Sequence, residues 1–361
     1  MIEIDGSYGE GGGQLVRTAA ALAAITGAAV TITDIRARRA NPGLAAQHLT
    51  AVKAVATLCD AEIDGLALKS QRLAFRPRRL RGGEFQFDVG TAGSITLVLQ
   101  ALLPAMIRSG ERVRARIIGG TDVRAAPPLD YFQHVLLALL GKMGVRVRSE
   151  LLRRGYYPRG GGEVAVAVEP GSLHALRLDA AGKLKTLRGN AHVANLPAHI
   201  VERMQSAAIA SLRRSGISEP NIETRVLGNE AAYGHGGAIV LWAETEHTVL
   251  GAGRVAQRGV RAEQLGREAG SDLEADIGAG VTLDVHASDQ LLVYLALAGG
   301  ESRFTTRVLS SHARTTMWLI ERFLPVHFET AIRGDAVSVA VRGAGTRNSA
   351  AAISPSADQS L

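Results

Sequence analysis

The sequence predicts an α/β fold: a large domain of three repeated units, each with two helices and a four-stranded sheet, interrupted by a smaller inserted α/β domain. Three observations carry this expectation. Between residues 1 and 168, the order strand, glycine-containing loop, helix, strand, helix, two strands occurs twice. The dipeptide Gln47-His48 in the second helix of the first unit reappears as Gln133-His134 in the second. The pattern then returns after residue 280, behind a stretch of different make-up.

In the first unit, Met1–Asp5 alternates as a strand, and a glycine-rich loop leads into an alanine-rich helix at Gln14–Ile25. A strand at Ala29–Ile35, a helix at Gly43–Leu58 and strands at Glu62–Leu66 and Arg72–Phe75 complete it. The second unit has a strand at Phe85–Val89, a loop at Thr91–Gly93, and a helix at Ser94–Ile107. It continues with a strand at Val113–Ile118, a helix at Leu129–Met143, and strands at Val145–Leu151 and Glu163–Val168. For the third unit we expect an opening strand near Ala175–Leu178, helices at Asp289–Leu297 and Ala313–Leu324, and strands at Ser302–Leu309 and Val337–Val341. The insertion is expected to hold helices at Pro197–Ser215 and Ala262–Ala269 and strands at Glu223–Leu227 and Ala238–Glu246. These spans divide the chain into a large domain (1–185 with 281–342), an inserted domain (186–280), and a small, polar, aperiodic tail (343–361) expected to be disordered.

At 361 residues, 46% hydrophobic and 21% charged, the chain has the make-up of a soluble globular protein with room for two domains. A single cysteine, Cys59, excludes an internal disulfide and a cysteine-built zinc site. No run approaches the ~20 apolar residues of a membrane span, and the N-terminus starts as a strand rather than as a leader, so the cytoplasm is the expected location. The net charge of +7 is carried mainly by arginine. That balance suits a polyanion partner, and it equally suits a biased codon usage. Clustering is more informative: Arg36, Arg38 and Arg39 share one loop, and Arg76, Arg78, Arg79 and Arg81 another.

Four constellations can carry chemistry. Asp5–Gln14 (DGSYGEGGGQ) runs from strand through glycines into a helix, which serves as a phosphate cradle or simply as a tight turn. It lacks the Gly-Lys-Ser/Thr of a Walker loop. Glu10 inside it would repel phosphate unless a divalent cation, Mg²⁺ or Mn²⁺, sat between. Arg17, one turn into that helix, can converge with Arg36 and Arg39 on a phosphate monoester, with Gln47 and His48 near them, or all three arginines can be solvated surface. In Ser310-Ser311-His312, either serine can cap the following helix, and the helix dipole would keep His312 neutral and nucleophilic; a structural histidine is the plain alternative. Finally, Asp289 and Gln290 in His286–Gln290 can read ribose hydroxyls or an adenine edge, and Gln100 is a polar residue on an apolar helix face. The loop Gly119–Pro128 can form a pocket wall.

The run Arg154-Gly-Tyr-Tyr-Pro-Arg-Gly-Gly-Gly-Glu-Val164 fits a sharp bend before a strand or a close approach of backbone to ligand. Together with the blocks DGSYGEGGGQ, Ile35–Leu44, Gln47–Ala54, Thr96–Gln100, Gly119–Asp122, Ser288–Gln290 and Ser311-His312, it resembles the RNA 3′-terminal phosphate cyclase family over residues 1 to about 342. The resemblance implies the three-repeat domain and a thioredoxin-like topology for the insertion. It implies an ATP-dependent cyclase that converts an RNA 3′-phosphate to a 2′,3′-cyclic phosphodiester through histidine–AMP and RNA–adenylate intermediates, releasing AMP and pyrophosphate. Carried over residue by residue, it implies His312 as nucleophile. Gln100, His286, Ala287, Ser288, Asp289 and Gln290 become nucleotide contacts, and Glu10 a metal and nucleotide contact. Arg17, Arg36, Arg39 and Gln47 bind the RNA phosphate. A homodimer is compatible with the resemblance. The chain departs from it at His286, where many relatives carry tyrosine, and at Arg38, often glycine. The rival expectation is a non-catalytic, cyclase-like RNA-binding protein of ribosome biogenesis, a branch without the nucleophilic histidine; His312 argues against it.

Overall fold

A computed structural model describes residues 1–213 and 220–345. The architecture is mixed α/β. The first sheet, in order β1-β2-β4-β3, is built from β1 (Ile2–Asp5), β2 (Val30–Thr33), β3 (Glu62–Asp64) and β4 (Leu73–Arg76). β1 and β2 are parallel and joined across α1 (Gly13–Thr26), whose nearly all-apolar face of alanines and leucines is buried. α2 (Ala46–Cys59) packs beside it. The second unit repeats the device: β5 (Gly83–Asp88) and β6 (Val113–Gly119) are parallel, joined across α3 (Ile95–Arg108). Ser94 caps α3 by accepting from the Leu97 N–H.

The helix expected at Leu129–Met143 is not uniform. It begins as α4 (Leu129–Tyr131), widens into a π-helical turn over Phe132–Leu136 and continues as α5 (Leu137–Lys142). β7 (Arg146–Gly155) and β8 (Gly162–Glu169) follow as a hairpin. Gly160 and Gly161 adopt left-handed φ of 67° and 69°, and the turn presses on the Thr91–Ala92 backbone. Of the two alternatives for the glycine run, the structure adopts the sharp bend.

In the inserted region, β9 (Leu184–Ala194), β10 (Asn221–Leu227), β12 (Gly236–Thr245) and β13 (Val249–Val255) form a sheet in order β10-β9-β12-β13, and the two-residue β11 (Ala232–Tyr233) joins the sheet of β5–β8. α6 (Ala198–Arg213) and α7 (Ala262–Gly278) cover one face, with a hydrophobic cluster of their own that includes Val193, Met204, Leu241 and Leu273. The other face lies on the large core: Val240, Trp242 and Val249 belong to it. Sequence reasoning missed β9 and β13 and ended α7 nine residues early, since Gly270 and the following acidic stretch hide its continuation. β13 contains Gly251 and Gly253, which ordinarily weaken a strand. Here they permit contact: a Cβ on Gly251 would fall 2.4 Å from Val135, and one on Gly253 3.1 Å from Pro128.

The third unit comprises α8 (Val285–Leu297), β14 (Gly299–Thr306), α9 (Ser311–Phe323), β15 (Phe328–Arg333) and β16 (Ala336–Ala344). Its sheet has three strands, β14-β16-β15. The fourth strand expected near Ala175–Leu178 is reduced to isolated bridges, His174 with Gly299 and Arg177 with Arg303. β16 runs to Ala344, two residues into the expected tail; residues 346–361 and the end of the helix expected to reach Ser215 lie outside the described residues. No helix among the described residues is long and apolar enough to cross a membrane.

Candidate active site

The N-termini of α1, α2, α8 and α9 open onto one cleft of about 760 Å³. Each brings the positive end of its dipole to the same space, which favours anions. The loop 123–128, Tyr131 and Gly253 of β13 form the opposite wall.

α9 brings His312 to the cleft. Ser310 is the cap: its hydroxyl accepts from the Ala313 N–H at 3.0 Å and donates to Asp289 Oδ1 at 2.7 Å. Ser311, the other candidate cap, instead donates to Glu10. His312 Nδ1 lies 3.0 Å from Glu10 Oε2, which also meets Arg39 at 3.4 Å. Burial pulls the His312 pKa below its ordinary 6.5, and Arg17, Arg39 and His286 pull the same way; the Glu10 carboxylate opposes them and loses. The ring is therefore neutral at pH 7. With a carboxylate beside Nδ1, the single proton belongs there and Nε2 keeps its lone pair.

Arg17 is 5% exposed and donates to Gln100 Oε1 at 3.2 Å, while its Nε is buried with no partner. Among the described residues no carboxylate pairs with it, and burial pushes its pKa down to about 10. A buried cation without a counter-ion is costly; an anionic ligand would supply the missing charge. Arg36 donates to the Gly43 carbonyl at 2.7 Å, and burial, then Arg39, lowers its pKa. His48 accepts from the Ala45 N–H through Nδ1, and its pKa is driven to about 3 by burial and the charges of Arg17 and Arg36. It stays neutral, with its proton on Nε2.

At the other end, Asp284 caps α8, accepting from the His286 and Ala287 N–H groups, and also takes the Tyr131 hydroxyl at 2.7 Å and the Gly251 N–H at 2.9 Å. Tyr131 meets the His286 ring edge-on, centroids 6.2 Å apart. Asp289 is pushed up to about 7, chiefly by burial, with Asp284 and Glu10 adding to the effect.

The cleft thus gathers Glu10, Arg17, Arg36, Arg39, Gln47, Gln100, His286, Asp289, Gln290 and His312. Two expected nucleotide contacts do not line it. Ala287 and Ser288 are fully buried behind the α8 N-terminus, and the Ser288 hydroxyl donates to the Val285 carbonyl. Sequence reasoning left Tyr131, Asp284 and Gly253 without a role. The loop 119–128 already suggested a wall, but nothing local in β13 points across the domain seam. Among the described residues no three His, Cys, Asp or Glu side chains converge as a metal centre. Glu10 is a hard oxygen donor facing an anion site, the donor set of a cation that takes one carboxylate and fills its other positions with phosphate oxygens and water.

The sequence profile of the RNA 3′-terminal phosphate cyclase family matches residues 8–330. A protein of Nitrosospira multiformis named RNA 3′-terminal phosphate cyclase is 59% identical over 330 residues, covering 91% of this chain and 93% of its own length. Proteins with the same name from Pyrobaculum neutrophilum and Methanopyrus kandleri are 44% and 45% identical, each covering 99% of its own length.

Proposed function

The chain belongs to the RNA 3′-terminal phosphate cyclase family, and from that premise we propose that it performs the ATP-dependent cyclisation of RNA 3′-phosphates with His312 as its nucleophile. Nε2 of the neutral ring attacks the α-phosphorus of ATP, a P–N bond forms, and pyrophosphate leaves. Glu10 holds the Nδ1 proton and so stabilises the positive charge that develops on the ring. An oxygen of the RNA 3′-phosphate then attacks the same phosphorus and the histidine departs neutral. The adjacent 2′-hydroxyl attacks the activated 3′-phosphorus, loses its proton, and expels AMP, closing the five-membered ring. Adenylation is needed because a phosphate oxygen is itself a poor leaving group.

In this reading the α8 side, with His286, Asp289 and Gln290 facing Tyr131, holds the nucleoside, and Arg17, Arg36, Arg39 and Gln47 hold the terminal phosphate. Gln100 accepts from Arg17 and links the two halves. Ala287 and Ser288 act through the backbone that sets the α8 N-terminus. Glu10 would hold Mg²⁺ or Mn²⁺, which supplies charge neutralisation to the triphosphate.

The observation that carries the assignment is a neutral imidazole, oriented by a carboxylate, opening on the same cleft as an uncompensated buried arginine. Incubation with α-labelled ATP and a divalent cation, without RNA, is expected to leave an acid-labile, base-stable label on the protein, absent in His312→Asn. Equal labelling of both would remove His312 from the mechanism. RNA ending in a 3′-phosphate should then yield a phosphatase-resistant end; RNA ending in a 3′-hydroxyl should not.

A further inference from the structure

Aromatic residues make up 4% of the chain, yet two of them stack where the loop of Glu10 meets α9. Tyr8 and Trp318 lie face to face with ring centroids 3.8 Å apart and planes within 16°. The Arg322 guanidinium carbon stands 5.2 Å from the indole centroid. Tyr8 is 41% exposed, so the stack ends in an open aromatic face.

Three features tie this stack to the catalytic histidine. Tyr8 belongs to the loop that carries Glu10, whose carboxylate meets Ser311 and His312. That loop is seated on α9: a Cβ on Gly9 would fall 2.3 Å from Thr315 Oγ1, and Gly11 N–H donates to the Tyr8 carbonyl at 2.9 Å. Finally, Arg314, Trp318 and Arg322 are spaced four residues apart along α9 and share one face. Arg314 and Arg322 are exposed, and among the described residues neither has a carboxylate partner. The face therefore alternates cation, aromatic pair, cation, and its first member, Arg314, follows His312 by two residues on α9. Single-stranded nucleic acid binds to this combination, with bases stacking on rings and phosphates on guanidiniums.

We propose that the outer face of α9, from Arg314 across the Tyr8–Trp318 stack to Arg322, is the track for the RNA strand upstream of the reacting 3′-phosphate, with one base resting on the open face of Tyr8. The proposal rests on the cyclase reading and deepens it. Trp318 lies six residues beyond His312, a rise of ~9 Å along a helix at 1.5 Å per residue. A stacked strand advances ~3.4 Å per nucleotide, so the platform would take a base roughly three nucleotides from the end. The rings are already stacked and the loop is held on α9, so a base would bind without ordering a mobile side chain.

The test compares a dinucleotide with a longer single-stranded oligonucleotide, both ending in a 3′-phosphate, in Tyr8→Leu, Trp318→Leu and Trp318→Phe. Both leucine variants are expected to raise KM for the longer RNA about 5- to 100-fold, the range of one base–aromatic stack. KM for the dinucleotide and the rate of self-adenylation should be unchanged, and Trp318→Phe should retain most of the affinity. In the non-turnover His312→Asn protein, the longer RNA should quench tryptophan fluorescence. That signal would vanish in the additional variant Trp318→Phe, since Trp242, the other tryptophan, is buried against His134. If the leucine variants bind long and short RNA in the wild-type ratio, the stack is packing only and the proposal falls, as it also does if Trp318 responds to a protein and not to RNA. Loss of self-adenylation in the wild type would instead strike at the cyclase reading.

Discussion

Arg17 and Arg154 are both buried arginines, 5% and 7% exposed, and their surroundings are opposite. Arg154 donates to Asp122 at 2.8 Å and to both oxygens of Asp130 at 2.8 Å, while His192 of β9 stands 3.7 and 3.6 Å from the same carboxylates. Burial favours the neutral form of Asp122, but the Arg154 charge overrides it and holds the carboxyl below its usual range. This cluster ties the β7–β8 hairpin, the Gly119–Asp122 block, α4 and the inserted sheet together. Arg17 has one amide oxygen and an unpartnered Nε. The same guanidinium is structural where its charge is cancelled within the fold and ligand-directed where the cancellation is left to something that arrives. The motif most diagnostic of the family, Arg154–Val164, lies on the structural side of that division; among the described residues it contributes nothing to the lining of the cleft.

The sharpest way to break this contrast is Arg154→Met. It leaves two carboxylates facing each other in a dry site, and we expect a loss of ~3–5 kcal/mol in denaturant-induced unfolding. Arg17→Met removes a buried charge that has no counter-ion, so its unfolding midpoint should match or exceed that of the wild type. Cyclisation of RNA 3′-phosphate should nonetheless fall about 10- to 100-fold, the worth of one charge-assisted hydrogen bond. Equal destabilisation by the two substitutions would erase the distinction.

The smallest effect concerns Glu10. His312 is deprotonated above a pKa already below 6.5, so self-adenylation should be flat through neutral pH and fall as acid protonates Nε2. Glu10 is the contact that raises that pKa. Glu10→Gln should therefore move the acidic limb to lower pH, measured as single-turnover label transfer, while slowing the plateau. An upward shift would mean that Glu10 does not orient the ring.

Much of the cleft was legible because its parts sit at helix starts. Glu10, Arg17, Gln47, Asp289 and His312 each lie within a turn or so of a glycine, serine or aspartate signal that opens a helix, and such signals are local. The side chains of Ala287 and Ser288 lie in the core because a run of adjacent residues at a helix start alternates between cleft and core at ~100° per residue, and the sequence does not say which point inward. The π-helical turn at Phe132–Leu136, which carries His134 stacked on Trp242, has no local sequence signature. β13 was hidden because its glycines read as breaks.

The α/β class, the succession of repeated units, and the candidate for the nucleophile were legible in the sequence, since periodicity, helix caps and motif spacing are properties of neighbours along the chain. Which arginine is neutralised and which is left without a counter-ion, which edge of the inserted sheet closes the cleft, and that Tyr8 should find Trp318 were decided by tertiary structure alone. Charge compensation and ring stacking act through space, over separations as long as the 310 residues between those two rings, and no local pattern encodes them.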